Sequence, residues 1–74
     1  MESKLLTNQL KVLRAIHDIT QAELAERVDV TRKSINTIEN GKYVPSTYLA
    51  LKLAKVLEVT VEEIFEIRNL GKPQ

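Results

Sequence analysis

Apolar residues recur at the spacing of an α-helix along most of the chain, and this periodicity restricts the fold more than any other feature. Hydroxyl-bearing residues that favour helix N-termini come just before four of these apolar segments, at Thr20, Thr31, Ser46 and Thr60. Thr20 with Glu23, and Thr60 with Glu63, also have the T-x-x-E spacing of a capping box. We therefore predict an all-α chain of five short helices.

The apolar positions also predict where each helix runs. The first carries Leu6, Leu10 and Leu13 and ends near His17, the second runs from Gln21 to about Val28, and the third follows Thr31 and stops at Asn40 and Gly41. The fourth follows Ser46 and buries Leu49, Ala50, Leu53, Ala54 and Leu57, and a short fifth helix carries Ile64 and Phe65. Gly41 is expected in the left-handed conformation that closes a helix.

The pattern changes after the fifth helix. Apolar and charged side chains alternate from Phe65, and Gly71 and Pro73 end the segment. Such alternation predicts a short β-strand up to Leu70 at the edge of the domain. An isolated strand would leave its backbone groups in water, so we expect it to pair, either with Lys4 to Leu6 or with the same strand of a second subunit.

Length and composition limit the class of protein. The 74 residues make one domain, residues 1–74, with a core of residues 7–65 and a tail of residues 66–74. Because there is no cysteine, disulfides and thiolate zinc sites are excluded. The N-terminus has neither the apolar run of a signal peptide nor that of a membrane span, so we expect a cytoplasmic protein with no membrane partner.

Candidate catalytic and metal-binding residues are few. His17 is the single histidine, and one imidazole without Cys or a second His is not expected to hold a metal. The acidic residues near the C-terminus are expected to form a solvated face, and they are Glu58, Glu62, Glu63 and Glu66. No nucleophile–base pair or phosphate-binding loop is evident. We expect no enzyme activity, no cofactor and no small-molecule ligand.

The net charge of +1 conceals an uneven distribution. Residues 1–57 carry nine Lys or Arg against six Asp or Glu, whereas residues 58–74 carry two against four. A basic body with an acidic end is consistent with one face for an anionic partner, although an excess of this size is also common on an ordinary solvated surface.

The segment from Gln21 to Asn40 has the pattern of a helix-turn-helix, two short helices joined by a tight turn and locked by shared apolar contacts. It resembles the phage-repressor or Cro-like helix-turn-helix domains of the Xre family. The likeness is carried by "LKVLR", "TQAELAERVDVTRKSINTIENGKYVPS", "LALKLAKVL" and "VTVEEIF". Asp29 departs from the family, which often has Gly in the turn, but Asp tolerates the left-handed conformation at modest cost.

The resemblance implies a compact five-helix, lambda-repressor-like domain that binds double-stranded DNA, with the third helix in the major groove. It implies base contacts by Arg32, Lys33 and Thr37, with Ser34 and Asn36 beside them. It implies phosphate contacts by Thr20, Gln21, Asn40 and Lys42, and a structural ion pair between Arg14 and Glu39. For the implied DNA contacts, a helix-end or solvated role is the alternative, and for the ion pair the alternative is a solvated Arg14.

Two classes of function remain open. The first is a sequence-specific transcriptional regulator, most simply a repressor, that binds a two-fold symmetric operator as a homodimer. The second is a protein-interaction module, such as a toxin-neutralising antitoxin or a coactivator with the same fold. For the first, we expect the tail and the fifth helix to form the dimer contact, through Ile64, Phe65, Ile67 and Leu70. The alternative is a frayed tail and dimerisation only on DNA.

Overall fold

The computed structural model describes residues 6–67, in which five helices lie between two short strands. The elements in chain order are β1 (Leu6–Asn8), α1 (Leu10–Ile16), α2 (Gln21–Arg27), α3 (Arg32–Glu39), α4 (Thr47–Leu57), α5 (Val61–Ile64) and β2 (Phe65–Ile67). The predicted five-helix architecture is confirmed. Within residues 6–67, none of the helices has the length and apolar character needed to cross a membrane.

Helices α2 to α5 begin where their hydroxyl caps predict. The side-chain oxygens of Thr20, Thr31, Ser46 and Thr60 each accept a hydrogen bond from the backbone N–H three residues later. Both capping boxes are formed, because the N–H of Thr20 donates to Glu23 Oε1 at 2.8 Å and the N–H of Thr60 donates to Glu63 Oε1 at 2.7 Å. Each such cap stabilises a helix end by about 1 kcal/mol.

The core is a single cluster to which every helix contributes. Its most deeply buried side chains are Leu10, Leu24, Val28, Ile35, Ile38, Leu53, Leu57 and Ile64. The fourth helix buries all five of its predicted positions. At several helix ends the chain changes direction through a residue with left-handed backbone conformation. These residues are Asp18, Asp29, Gly41 and Glu58. Asp29 and Gly41 adopt the conformation predicted for them.

The two strands close the domain at its termini. They pair antiparallel, with Leu6 opposite Ile67 and Asn8 opposite Phe65. The expected C-terminal strand is therefore present from Phe65 to Ile67, while its expected continuation to Leu70 and the partner residues Lys4 and Leu5 lie outside the described residues. Since β2 pairs with the chain's own N-terminal strand, the fold does not need a second subunit to satisfy that edge.

Two of the predicted helix assignments were wrong at their ends. Leu6 lies in β1, and the first helix begins only at Leu10. Asn8 fixes this start, because its Oδ1 accepts from the N–H of Leu10 at 3.1 Å while its Nδ2 donates to the carbonyl of Ile38 at 2.9 Å. Phe65, predicted in the fifth helix, has extended backbone and begins β2.

Candidate nucleic-acid interface

Helices α2 and α3 make a helix-turn-helix whose geometry is fixed by the turn between them. Ala25 is 3% exposed, and its small side chain lets the two helices approach closely. Its carbonyl accepts the N–H of Val30 at 2.9 Å, which closes α2 just after the left-handed Asp29. On the other side of the turn, Ile35 and Ile38 attach α3 to the core. The opposite side of α3 is thereby turned to solvent.

The outward side of α3 carries the residues implied as base contacts. Arg32, Lys33 and Asn36 are exposed, and Ser34 and Thr37 are half-buried. Within residues 6–67, the side chains of Arg32 and Lys33 have no hydrogen bond or ion pair to the protein. Both cations are thus presented at the first turn of α3, with all of their donors free for a ligand.

The two hydroxyls on this side are partly used by the helix itself. Thr37 Oγ1 donates towards the carbonyls of Ser34, at 2.9 Å, and Lys33, at 3.1 Å. Ser34 Oγ lies 3.1 Å from the capping oxygen of Thr31. This arrangement leaves the lone pairs and methyl group of Thr37 for an external contact, whereas its hydroxyl proton is already committed.

The carboxylate of Glu39 joins three helices. It forms a two-bond ion pair with Arg14, through Nε to Oε2 at 2.7 Å and Nη2 to Oε1 at 3.3 Å. Arg14 also donates from Nη1 to the carbonyl of Ile19 at 3.0 Å. The hydrogen bond to Glu39 raises the pKa of Arg14 above its usual value, against a smaller opposing effect of burial. The guanidinium of Arg14 therefore stays charged throughout the accessible pH range.

Gln21 is part of the same network. Its Nε2 donates to Glu39 Oε1 at 2.9 Å and to Asn36 Oδ1 at 3.2 Å, so both amide protons are used within the protein. A side-chain contact from Gln21 to a phosphate would require one of these two bonds to be given up. In this conformation Gln21 connects α2 to α3, and it holds Asn36 on the outward side.

The loop between α3 and α4 continues the same surface. Asn40 and Lys42 are exposed, and the backbone N–H of Lys42 closes α3 by donating to the backbone carbonyl of Thr37 at 3.0 Å. Sequence analysis missed Tyr43, which is 46% exposed, because an aromatic residue in a loop belongs to no helical period. The shallow concavity here is lined by Thr31, Lys33, Ser34, Thr37, Lys42 and Tyr43.

The residues expected at a dimer contact differ in how deeply the structure buries them. Ile64 is 1% exposed and packs in the core of its own chain, so the expectation that its side chain meets a partner was wrong. Phe65 is half-buried and Ile67 is 53% exposed, whereas Leu70 lies outside the described residues. Phe65 also borders an apolar groove with Leu6, Val44, Pro45, Thr47, Ala50, Leu51 and Val61.

Comparisons with known proteins place this arrangement in a family. The helix-turn-helix family model matches residues 10–64. An HTH-type transcriptional regulator of Methanocaldococcus jannaschii is 48% identical over 60 residues, which cover 81% of this chain and 91% of that protein. A second, from Bacillus subtilis, is 43% identical with the same coverage. Such regulators are a non-enzymatic class of protein.

Solved structures agree with these sequence matches. A crystal structure of a protein from Bacteroides fragilis superposes with a TM-score of 0.77 at 26% identity and covers 84% of this chain and 100% of that chain. The restriction-modification controller protein C.AhdI from Aeromonas hydrophila superposes with a TM-score of 0.70 at 29% identity, over 74% of this chain and 83% of that one. The chain therefore belongs to the Xre-like helix-turn-helix family of transcriptional regulators and carries that family's DNA-binding domain.

Proposed function

We propose that the protein is a repressor that binds a specific double-stranded DNA operator as a homodimer, and that it acts by binding rather than by catalysis. The observation that carries this proposal is the pair of adjacent, uncommitted cations, Arg32 and Lys33, on the first turn of a helix whose other side is buried. The N-terminal residues of a recognition helix are the ones that reach base edges in the major groove.

The chemistry of this surface suits duplex DNA. Arg32 and Lys33 can donate to O6 and N7 of guanine, and the methyl group of Thr37 can contact the methyl group of thymine. Ser34 and Asn36 lie beside them. Lys42 and Asn40 follow at the end of the helix, where a cation can neutralise a phosphate and so add affinity without sequence preference. Thr20 and Gln21, at the start of α2, complete the proposed phosphate contacts, and Gln21 would exchange its longer bond, to Asn36, for one to the phosphate.

A separate surface, which is apolar, supports the homodimer. Val44 is 41% exposed, Leu51 is 56% exposed and Ile67 is 53% exposed. Val44 and Leu51 border the groove together with Phe65, and Ile67 lies on the same face of its strand as Phe65 because strand side chains alternate. We call these four residues the dimer patch. A two-fold axis would bring the patch of one chain against the same patch of another.

Repression requires nothing beyond occupancy. A dimer bound across a promoter blocks polymerase by steric exclusion, and this mode of action needs no small molecule to be recognised. Regulation would then follow from protein concentration and from the strength of the dimer contact. The competing interaction module, an antitoxin or coactivator, would use a protein partner in place of DNA, and it has no particular contact in its favour here.

Selection from random duplex DNA with the full chain tests the proposal directly. We expect a two-fold symmetric motif whose half-sites are centred about 34 Å apart, one helical turn of DNA. Circular dichroism of the protein used in the selection should show that it is helical, so that a failure to enrich DNA cannot be due to unfolded protein. If a folded sample enriches no common sequence at moderate salt, DNA recognition is contradicted and the protein-interaction function takes its place.

Base preference should depend on the two cations of α3. We expect Arg32→Ala and Lys33→Ala each to reduce discrimination between the operator and a single-base variant by about 1–3 kcal/mol, because base edges carry the sequence information. Competition assays with single-base operator variants measure this. Lys55→Ala is the matched control, since Lys55 is an exposed cation on α4 and should leave base preference unchanged. Unaltered preference in both α3 variants would exclude these residues as base contacts.

A further inference from the structure

Tyr43 is exposed without an evident structural reason. Its side chain is 46% exposed, and its hydroxyl has no hydrogen-bond partner in the described part of the chain. The residue follows Lys42 and precedes Val44 in the loop between α3 and α4. A tyrosine combines a large apolar ring with a polar hydroxyl, and such side chains are enriched at interfaces, where one part is covered and the other forms a hydrogen bond.

The loop separates two surfaces and directs Tyr43 to one of them. Val44 borders the apolar groove of the dimer patch, together with Leu51 and Phe65. Tyr43, one residue earlier, borders instead the concavity that contains Lys33 and Lys42. The tyrosine therefore lies on the side of α3, and it is not part of the dimer patch.

The charge of this concavity identifies the kind of ligand. Its lining includes two lysines and three hydroxyl-bearing residues of α3 and its cap, but no aspartate or glutamate. A phosphate placed there would meet two cations, a phenolic donor and no like charge. Phenolic O–H is neutral and can donate, and hydrogen bonds to an ionised acceptor are the stronger ones.

We propose that Tyr43 holds a phosphate of the DNA backbone, with its hydroxyl donating to a phosphate oxygen and its ring covering the adjoining deoxyribose. This inference rests on the proposed DNA-binding function and extends it to a residue to which neither the helical pattern nor the resemblance gave a role. Tyr43 would position the end of α3 against the duplex beside Lys42. It would contribute affinity but no base preference, because a phosphate is the same at every step.

The test compares two tyrosines that undergo the same change. Tyr43→Phe removes only the hydroxyl and should weaken operator binding roughly tenfold for each subunit, and so about 100-fold for the dimer, because each half-site loses a hydrogen bond to a charged acceptor. Tyr48→Phe is the control, because Tyr48 is 71% exposed on α4, where Lys52 Nζ lies 4.7 Å from its ring centroid. This variant should bind the operator as tightly as the unmodified chain does. Tyr43→Ala should lose more affinity for the operator than Tyr43→Phe does, because it also removes the ring.

Salt dependence identifies the contact as a neutral one. Replacing Lys42 with Gln should reduce the slope of log affinity against log salt by about 0.9 for each subunit, or about 1.8 for the dimer, because one fewer counterion is released at each half-site, whereas Tyr43→Phe should leave the slope unchanged. An equal loss on every single-base operator variant supports the phosphate contact. Undiminished affinity of Tyr43→Phe, or a changed base preference, overturns it while the proposed function stands. Absence of specific binding by the unmodified chain overturns both.

Discussion

Replacing Glu39 with Ala should lower the free energy of unfolding by about 3 kcal/mol, because it leaves a largely buried cation without its partner. The side chain of Glu39 is 5% exposed and that of Arg14 is 16% exposed. After the substitution the guanidinium would keep only its bond to the carbonyl of Ile19. Gln21 would also lose one of its two acceptors. Urea denaturation of both proteins measures the difference.

Two further variants make this measurement specific. Glu26→Ala removes an exposed carboxylate from α2 and should change stability by less than about 0.5 kcal/mol, as surface substitutions usually do. Glu39→Gln keeps an oxygen acceptor in a side chain of the same size, so its loss of unfolding free energy should lie between those of Glu39→Ala and Glu26→Ala. If Glu39→Ala were no more destabilising than Glu26→Ala, the network would not contribute to stability, and the position of α3 would depend on apolar packing alone.

The helix starts could be predicted because their chemistry is local. A hydroxyl that accepts the N–H three residues later, as in Thr20 with Glu23, involves a segment short enough to be read along the sequence. The start of α1 could not be predicted in this way. Leu6 fits the helical period of Leu10 and Leu13, yet it pairs with Ile67 at the far end of the chain, and a local pattern carries no information about such a partner.

The candidate site was predictable to a similar degree. The outward side of α3 follows from its period, because burying Ile35 and Ile38 leaves Arg32, Lys33 and Asn36 exposed. The bonds that commit both amide protons of Gln21 were not predictable, since they depend on how three helices meet. The burial of Ile64 was not predictable either, because it depends on how the short helix α5 packs against the rest of the core. The structure shows that the core includes it, at the junction of α5 with β2.

The burial of Ile64 also determines how the dimer should be tested. Truncating the chain after Glu63 would remove the core side chain of Ile64 as well as the strand that pairs with β1, so loss of dimer could not be separated from loss of fold. A substitution within the dimer patch avoids this difficulty. Leu51 is suitable because it is 56% exposed, so a polar replacement leaves the core unchanged.

Leu51→Glu should convert the dimer to a monomer at micromolar concentration and weaken binding to the two-fold operator by at least about 100-fold. The reason is that two linked half-site contacts gain roughly 100- to 10,000-fold in avidity over one. Binding to an isolated half-site should not change, because α3 is untouched. Sedimentation equilibrium reports the mass, and titration of full and half operators reports the affinities.

The matched control for this prediction is Ile16→Glu. Ile16 is 70% exposed at the end of α1, so the substitution introduces the same carboxylate in place of an exposed aliphatic side chain outside the dimer patch. We expect this variant to remain dimeric and to bind the full operator normally. If Ile16→Glu dissociates the dimer while Leu51→Glu does not, the interface lies on α1. The patch formed by Val44, Leu51, Phe65 and Ile67 would then need another partner to explain its exposure.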